Sequence, residues 1–366
     1  MAGTQSPAAQ LAAFDASATE RSIALPNVAY GNGSAVFNLP HAGVPTFLTL
    51  NFNGSLKRTD GTTVGTITAS PYWPFNLIAP SSLIDYSGIT RIWADGYDLY
   101  TLLLLKAFGS YQKSVYSAES YAGTNVYSAS IPTGTGGASK TSTILFSVVV
   151  PVSMSSYSAL GSYDATVPNG EAQFTVNEAA LTGSYVNSPL KVSTTTTKVS
   201  LTGNWSMGYY YLDAPSSVAI PTQALTQIHE VYHQASNAGL AAGANFDVVL
   251  QTGREYHRVM QFVAENDAAS FLDVANVQFL VDSATPTLNE TLTQYLFRTR
   301  KVFGRDFAPG TIIRDFSRKP WTPNSYGSLT ARLALNNSWS SGSYSNVVTT
   351  RETLYVPSGN LVSIGG

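Results

Sequence analysis

The pentapeptide His229-Glu230-Val231-Tyr232-His233 holds the residue types of a zinc hydrolase: two imidazoles to ligate a metal and a carboxylate beside them as general base. On a helix, the i, i+4 spacing puts both imidazoles on one face. The flanking residues predict such a helix over 222–238, with Leu225, Ile228, Tyr232 and Ala235 on one side and Gly239 as its stop. A third ligand is available from Glu255 or His257, which share a face if they lie on a strand. The longer three-histidine pattern fails, because Ser236 and Gly239 are followed by Ala242 where another His is needed. A surface helix that holds no metal, its imidazoles bordering the apolar stripe, fits the same residues.

A second group is cationic: Arg298, Arg300, Lys301, Arg305, Arg314, Arg318 and Lys319. These side chains could meet phosphate, but Asp306 and Asp315 are interleaved with them and the whole chain carries a net charge of −2. Bidentate pairing with carboxylates of a neighbouring subunit is therefore the expectation, with a solvated helix end as the simpler alternative. The aromatic excess, 21 Tyr and 16 Phe, could stack on sugars, although such residues more often fill cores and interfaces. There is no Gly-rich phosphate loop and no Gly-x-Ser-x-Gly elbow. With no cysteine, the chain has no disulfide, thiolate zinc site or cysteine nucleophile.

The elements that must position these residues read mostly as strands. Of 366 residues, 44% are hydrophobic, enough for two packed cores, but only 11% are charged against about a quarter in ordinary soluble domains. Ser, Thr, Asn, Gly and Tyr take the polar positions instead, which suits strands, tight turns and surfaces that neighbours cover. The slight acidity argues against a nucleic-acid-binding role. The first residues lack the basic start and apolar core of a secretory signal, and no run is long enough to span a bilayer. An Ala-rich arm over 1–25, with Leu11 and Phe14 three apart, precedes a strand-rich stretch over 26–213. Pro215 and Pro221 break that stretch and open a helical linker over 214–243. A second strand-rich stretch covers 244–356 and a Gly-ended tail 357–366. Each stretch has one inserted helix. The first lies within 97–113; the second starts at a capping box of Thr287 and Glu290, presents Leu288, Leu292 and Tyr295, and stops at Gly304. No internal repeat is visible in the residues themselves.

The segment Gly304 to Asn337 runs from that helix through Arg305-Asp306-Phe307, the turn Pro309-Gly310, a strand, Arg318-Lys319-Pro320, Tyr326-Gly327 and the alternating strand Ser328 to Leu335. Upstream lie Tyr210-Tyr211-Leu212-Asp213, Asn245-Phe246-Asp247-Val248-Val249-Leu250-Gln251, Arg254-Glu255-Tyr256-His257-Arg258 and Arg298-Thr299-Arg300. In this order, from Tyr210 to Val356, the chain resembles the tectivirus major capsid proteins of the adenovirus hexon lineage. Before Tyr210, only the strand rhythm and the arm-then-strand start fit. The resemblance implies an all-β fold of two consecutive eight-stranded jelly rolls with a few short helices. It implies a structural protein with no catalysis and no cofactor, which forms pseudo-hexagonal homotrimers tiling an icosahedral shell in the virion after synthesis in the host cytoplasm. Its implied partners are itself, neighbouring trimers, minor capsid and vertex proteins, and an inner viral membrane touched by the arm around Leu11 and Phe14, without sequence-specific nucleic-acid binding. Leu11, Phe14 and the seven cations then become interface candidates. Two other readings stay open: a zinc metalloprotease built on His229, Glu230 and His233, and a secreted glycan-binding β-sandwich.

Overall fold

The structure, a computed structural model, describes residues 6–70, 72–106, 120–121, 124–125, 128–134, 136–167, 169–183, 188–236, 241–265, 268–269, 273–282, 285–303, 307, 310–322, 328–339 and 346–356. The chain forms two compact units, the first ending at His229 and the second beginning at Glu230. Among the described residues no helix is long and apolar enough to cross a membrane.

The first unit opens with helix α1, Pro7–Ser17, started by Pro7 and by the Ser6 hydroxyl, which accepts from the Ala9 N–H at 3.3 Å. Eight strands follow: β1 Thr19–Ala29, β2 Ser34–Asn38, β3 Val44–Thr59, β4 Ile78–Ile84, β5 Thr90–Ala94, β6 Ser139–Pro151, β7 Gln173–Glu178 and β8 Lys198–Asp213. Helix α2, Gly96–Lys106, lies between β5 and β6. Strand β3 shows why these segments are strands. Leu48, Leu50, Phe52 and Leu56 point into the core and are fully buried, while Thr49, Asn51, Asn53 and Ser55 alternate with them on the other face. Within the unit the strands form two four-stranded sets, β1-β8-β3-β6 and β2-β7-β4-β5. Inside, Phe52, Phe146 and Trp205 pack ring against ring, with centroids 4.7–6.0 Å apart. Gly54 and Gly203 face each other across β3 and β8 beside them; a Cβ on Gly54 would come within 2.7 Å of the Phe52 ring, so the bare backbone makes room for it.

The second unit begins after the four-residue helix α3, Thr222–Leu225. Its strands are β9 Ile228–Ser236, β10 Asn245–Leu250, β11 Arg254–Glu265, β12 Val274–Val281, β13 Thr285–Thr291, β14 Thr311–Asp315, β15 Leu329–Leu335 and β16 Asn346–Tyr355, with helix α4, Leu292–Phe303, between β13 and β14. Within the unit these form the sheets β9-β16-β11-β14 and β10-β15-β12-β13. Adding eight to every strand number of the first unit gives the second, and each unit places one helix between its fifth and sixth strands. The core between the two sheets holds Phe246, Val248, Val259, Val263, Val277, Phe279, Ile312, Leu333 and Val347, closed by Tyr295 of α4. The duplication that is invisible in the residues is therefore complete in the topology.

Two expectations need correction. The expected helical linker over 214–243 is not what the described residues form: among them helix is confined to α3, and the residues that follow extend into β9, so the second jelly roll starts near Ile228 rather than at 244. Residues 228–233 bury Ile228, His229, Val231 and His233 while Glu230 is half-buried and Tyr232 exposed, a period of two that fits a strand paired with β16. Helix α4 begins later than its sequence signal. The reciprocal cap is made by Thr291 and Gln294: Gln294 N–H donates to Thr291 Oγ1 at 3.3 Å and Thr291 N–H to Gln294 Oε1 at 3.0 Å, while Thr287 and Glu290 lie in β13.

Candidate functional site

Because β9 is a strand, the pentapeptide cannot act as a metal motif. His229 and His233 do share a face, but four residues of extended chain separate them by about 13 Å, whereas two imidazoles on one zinc each reach only about 2 Å to the ion. Both are buried. Glu230 points to the opposite face, where it pairs with Arg254 of β11 and receives the Thr353 hydroxyl of β16 at 3.4 Å. Arg254 also donates to Thr353 Oγ1 at 3.3 Å and lies over the Tyr355 ring at 4.1 Å, while Arg351 lies over Tyr232 at 5.0 Å. Glu255 and His257 share a face as expected, but they pair with each other at 2.9 Å. The general base of the zinc reading is thus one member of a three-strand polar brace that holds the ends of β9, β16 and β11 together.

The cations disperse in a similar way. Arg298 gives a bidentate pair to Glu290 of β13 at 2.7 and 2.9 Å, which clamps α4 to the strand before it. Arg314 is buried in the core, where it donates to Gln261 Oε1 on its own sheet and to the carbonyls of Gln278 at 3.1 Å and Arg332 at 2.9 Å on the facing sheet. Burial pulls its guanidinium down to about 10, so it stays charged at neutral pH and staples the sandwich. The expected pairing of Arg298 and Arg314 with a neighbouring subunit is therefore corrected: both are satisfied inside the chain. Arg300, Lys301, Arg318 and Lys319 are exposed, and Arg305 lies outside the described residues. Leu11 and Phe14 are also turned inward, packed against Val44, Ala159 and Leu212 of the first unit, so they present no apolar face to a membrane or a neighbour.

Several charged residues of structural weight were not singled out in the sequence. Arg58 makes a forked contact with Asp60 at 2.8–3.0 Å, and Thr197 donates to the same carboxylate at 2.7 Å. Asp85 accepts from Ser87 and Ile89 N–H in the β4–β5 turn and from Arg91 at 2.6 Å, while Arg91 reaches the carbonyls of Gly161 and Ser162. Arg258 pairs with Glu352 and with Asp315 at 3.3 Å. The signal available was opposite charge at close spacing, as in Arg58-x-Asp60; Arg258 and Glu352 lie far apart in the sequence and gave none.

Alongside its exposed charges, the chain presents in the first unit one broad face that carries none. On the outer side of β6-β3-β8, five successive rungs read Pro151/Phe47/Tyr210, Val149/Thr49/Gly208, Ser147/Asn51/Ser206, Leu145/Asn53/Asn204 and Thr143/Ser55/Thr202. None carries a charge. Asn53, Thr143, Ser147, Thr202 and Asn204 are exposed and most of the others half-buried. Phe47 and Tyr210 stack at 4.3 Å, and Gly208 leaves room for the Tyr210 ring, 3.0 Å from where its Cβ would sit. Uncharged surface of this kind is what these three strands offer to a partner.

Two consecutive eight-stranded sandwiches, each ordered 1-8-3-6 over 2-7-4-5, define a double jelly roll. Among solved structures the chain is similar to the STIV MCP, with a TM-score of 0.66 at 14% identity over 93% of this chain and 97% of that one. It is also similar to a chain in the atomic structure of Sulfolobus turreted icosahedral virus (TM-score 0.65, 13% identity, 94% of each chain). The faustovirus major capsid protein matches at a TM-score of 0.51 and 8% identity over 93% of this chain and 91% of that one. No protein-family model and no curated protein matches the sequence.

Proposed function

We propose that this chain is the major capsid protein of an icosahedral virus, a structural subunit of the virion shell and not an enzyme. The observation that carries this reading is the double jelly roll itself, aligned over nearly its whole length with the STIV MCP. The low charge content, 11% of residues, supports it as well, because a subunit surrounded by copies of itself must bury most of its flanks, and hydroxyl and amide side chains cost far less to bury than ions do. Three chains, each with two similar sandwiches, close into a pseudo-hexagonal tile, and such tiles cover a shell that encloses a membrane vesicle. Partners in this reading are the chain itself, neighbouring trimers, and minor and vertex proteins. Because Leu11 and Phe14 are held in the first unit, membrane contact falls to other parts of the chain.

Light scattering on the purified protein tests this. A mass of about 117 kDa, three times 39.0 kDa, unchanged by a chelator, is expected. A stable 39.0 kDa monomer at micromolar concentration overturns the reading.

A further inference from the structure

The two units differ in how the outer side of one sheet is used. In the second unit, the face of β11, β16 and β14 that points away from the core carries Met260, Phe262, Thr350 and Ile313, with the Arg258–Glu352 pair at one end, and all of these are buried in the folded chain. The topologically equivalent face in the first unit is the uncharged ladder on β3, β8 and β6, and it is open. The same element of a duplicated fold is thus buried in one copy and partly exposed in the other.

Exposure alone does not explain its composition. An antiparallel face that stays in water normally carries charged side chains, which keep sheets soluble and apart. Here the first charge comes only at the sixth rung, with Lys57 opposite Ser200 and Thr141. Along the five rungs before it, Leu145, Val149, Phe47 and Tyr210 alternate with Ser, Thr and Asn. That mixture suits a surface buried against another protein, since each hydroxyl or amide can find a partner there and no ion loses its hydration. Three strands of nine residues cover roughly 400 Å², about half of what one partner contributes to a standard interface of ~800 Å² per side.

We propose that the occupant of this face is a second copy of the same chain, and that the ladder centred on Asn53 and Asn204 is where one subunit of the trimer meets the next. The inference rests on the capsid reading and adds to it the surface that closes the ring. A head-to-tail contact of this kind covers one face of each chain with a different face of its neighbour, and in a closed ring it leaves no ladder bare.

The test compares Thr202→Glu/Asn204→Glu with Val249→Glu, which places a carboxylate on β10 where the native side chain is 64% exposed. The ladder variant is expected to keep its circular dichroism and melting temperature but fall from about 117 kDa to 39.0 kDa, while Val249→Glu keeps the trimer mass. If the charged variant fails to fold, a milder one decides. The chain has no cysteine, so Asn204→Cys carries a single thiol. In the assembled protein that thiol is expected to react with a maleimide at least tenfold more slowly than the thiol of Tyr157→Cys, a position 74% exposed. A ladder variant that stays trimeric, or an Asn204→Cys thiol labelled as fast as the reference in a trimeric protein, overturns this proposal and leaves the capsid reading standing. A wild-type monomer overturns that reading first and this proposal with it.

Discussion

Glu230 carries a structural load that its neighbours in the sequence disguise. It sits between Arg254 and Thr353, with only 12% of its side chain exposed against 18% for Arg254. Glu230→Gln keeps the shape but leaves the guanidinium without its anion, and a charged hydrogen bond lost in a half-dry site costs about 1–3 kcal/mol. A site on an exposed helix would lose only a few tenths. A urea midpoint that falls by that larger amount, with no change in bound metal, is the expected result; an unchanged midpoint shows that the brace contributes nothing. The misreading has a physical origin. Residues at i and i+4 coincide on a face in both helix and strand, so the pentapeptide could not discriminate between them. The deciding quantity, about 6 Å of separation in one case and about 13 Å in the other, comes from backbone rise alone.

At the scale of elements, α1 is the clearest case of a segment whose position alters its role. Only Ala18 separates its last turn from β1, so the helix cannot swing as a tether, and Phe14 is 1% exposed in a pocket lined by Val44, Ala159 and Leu212. Phe14→Ala should therefore destabilise the first unit by about 3 kcal/mol, read from guanidinium denaturation followed by tryptophan fluorescence. A loss under about 1 kcal/mol would mean that the helix rests on the unit without holding it. Much at this level was legible. The alternation in β3, the Leu-rich start of α2, the stripe of Tyr295 and the insertion of one helix per sandwich all follow from residue periodicity. What escaped was anything set by distant partners. The segment 222–238 has apolar residues compatible with either period, and pairing with distant segments, among them β16 more than a hundred residues later, decides in favour of a strand over Ile228–Ser236. Likewise, Arg298 and Arg314 stand close in sequence and look like one cluster, yet one clamps a helix to a strand at the surface and the other spans the core.

For the whole molecule, the tyrosines set an upper pH limit. Burial raises Tyr30 and Tyr86 to about 12, and Tyr163, Tyr209, Tyr256 and Tyr295 are also pushed upward by burial. A group whose folded value exceeds its unfolded value near 10 contributes stability that is complete below pH 10 and is lost as pH rises through the folded value. Arg314 acts in the opposite direction, because its depressed value relieves a desolvation cost above about 10. It is one group against six. The expected outcome is cooperative unfolding between pH 10 and 12, seen as a delayed, steep rise in tyrosinate absorbance near 295 nm. A smooth titration centred on pH 10 would show the rings to be solvated.

The adjacency of first and last strands, Thr19 beside Asp213 in the first sandwich, also bears on how the polypeptide is made. A ribosome releases β3 long before β8, and at roughly 5–20 residues per second the edge of β3 that β8 will cover waits for several seconds with its amides and carbonyls unpaired. Nascent chains on one message therefore display the same vacant edge side by side during that interval. Speed of translation through residues 60–198 becomes a determinant of yield, and a chaperone that occupies the edge until Asp213 emerges would raise it.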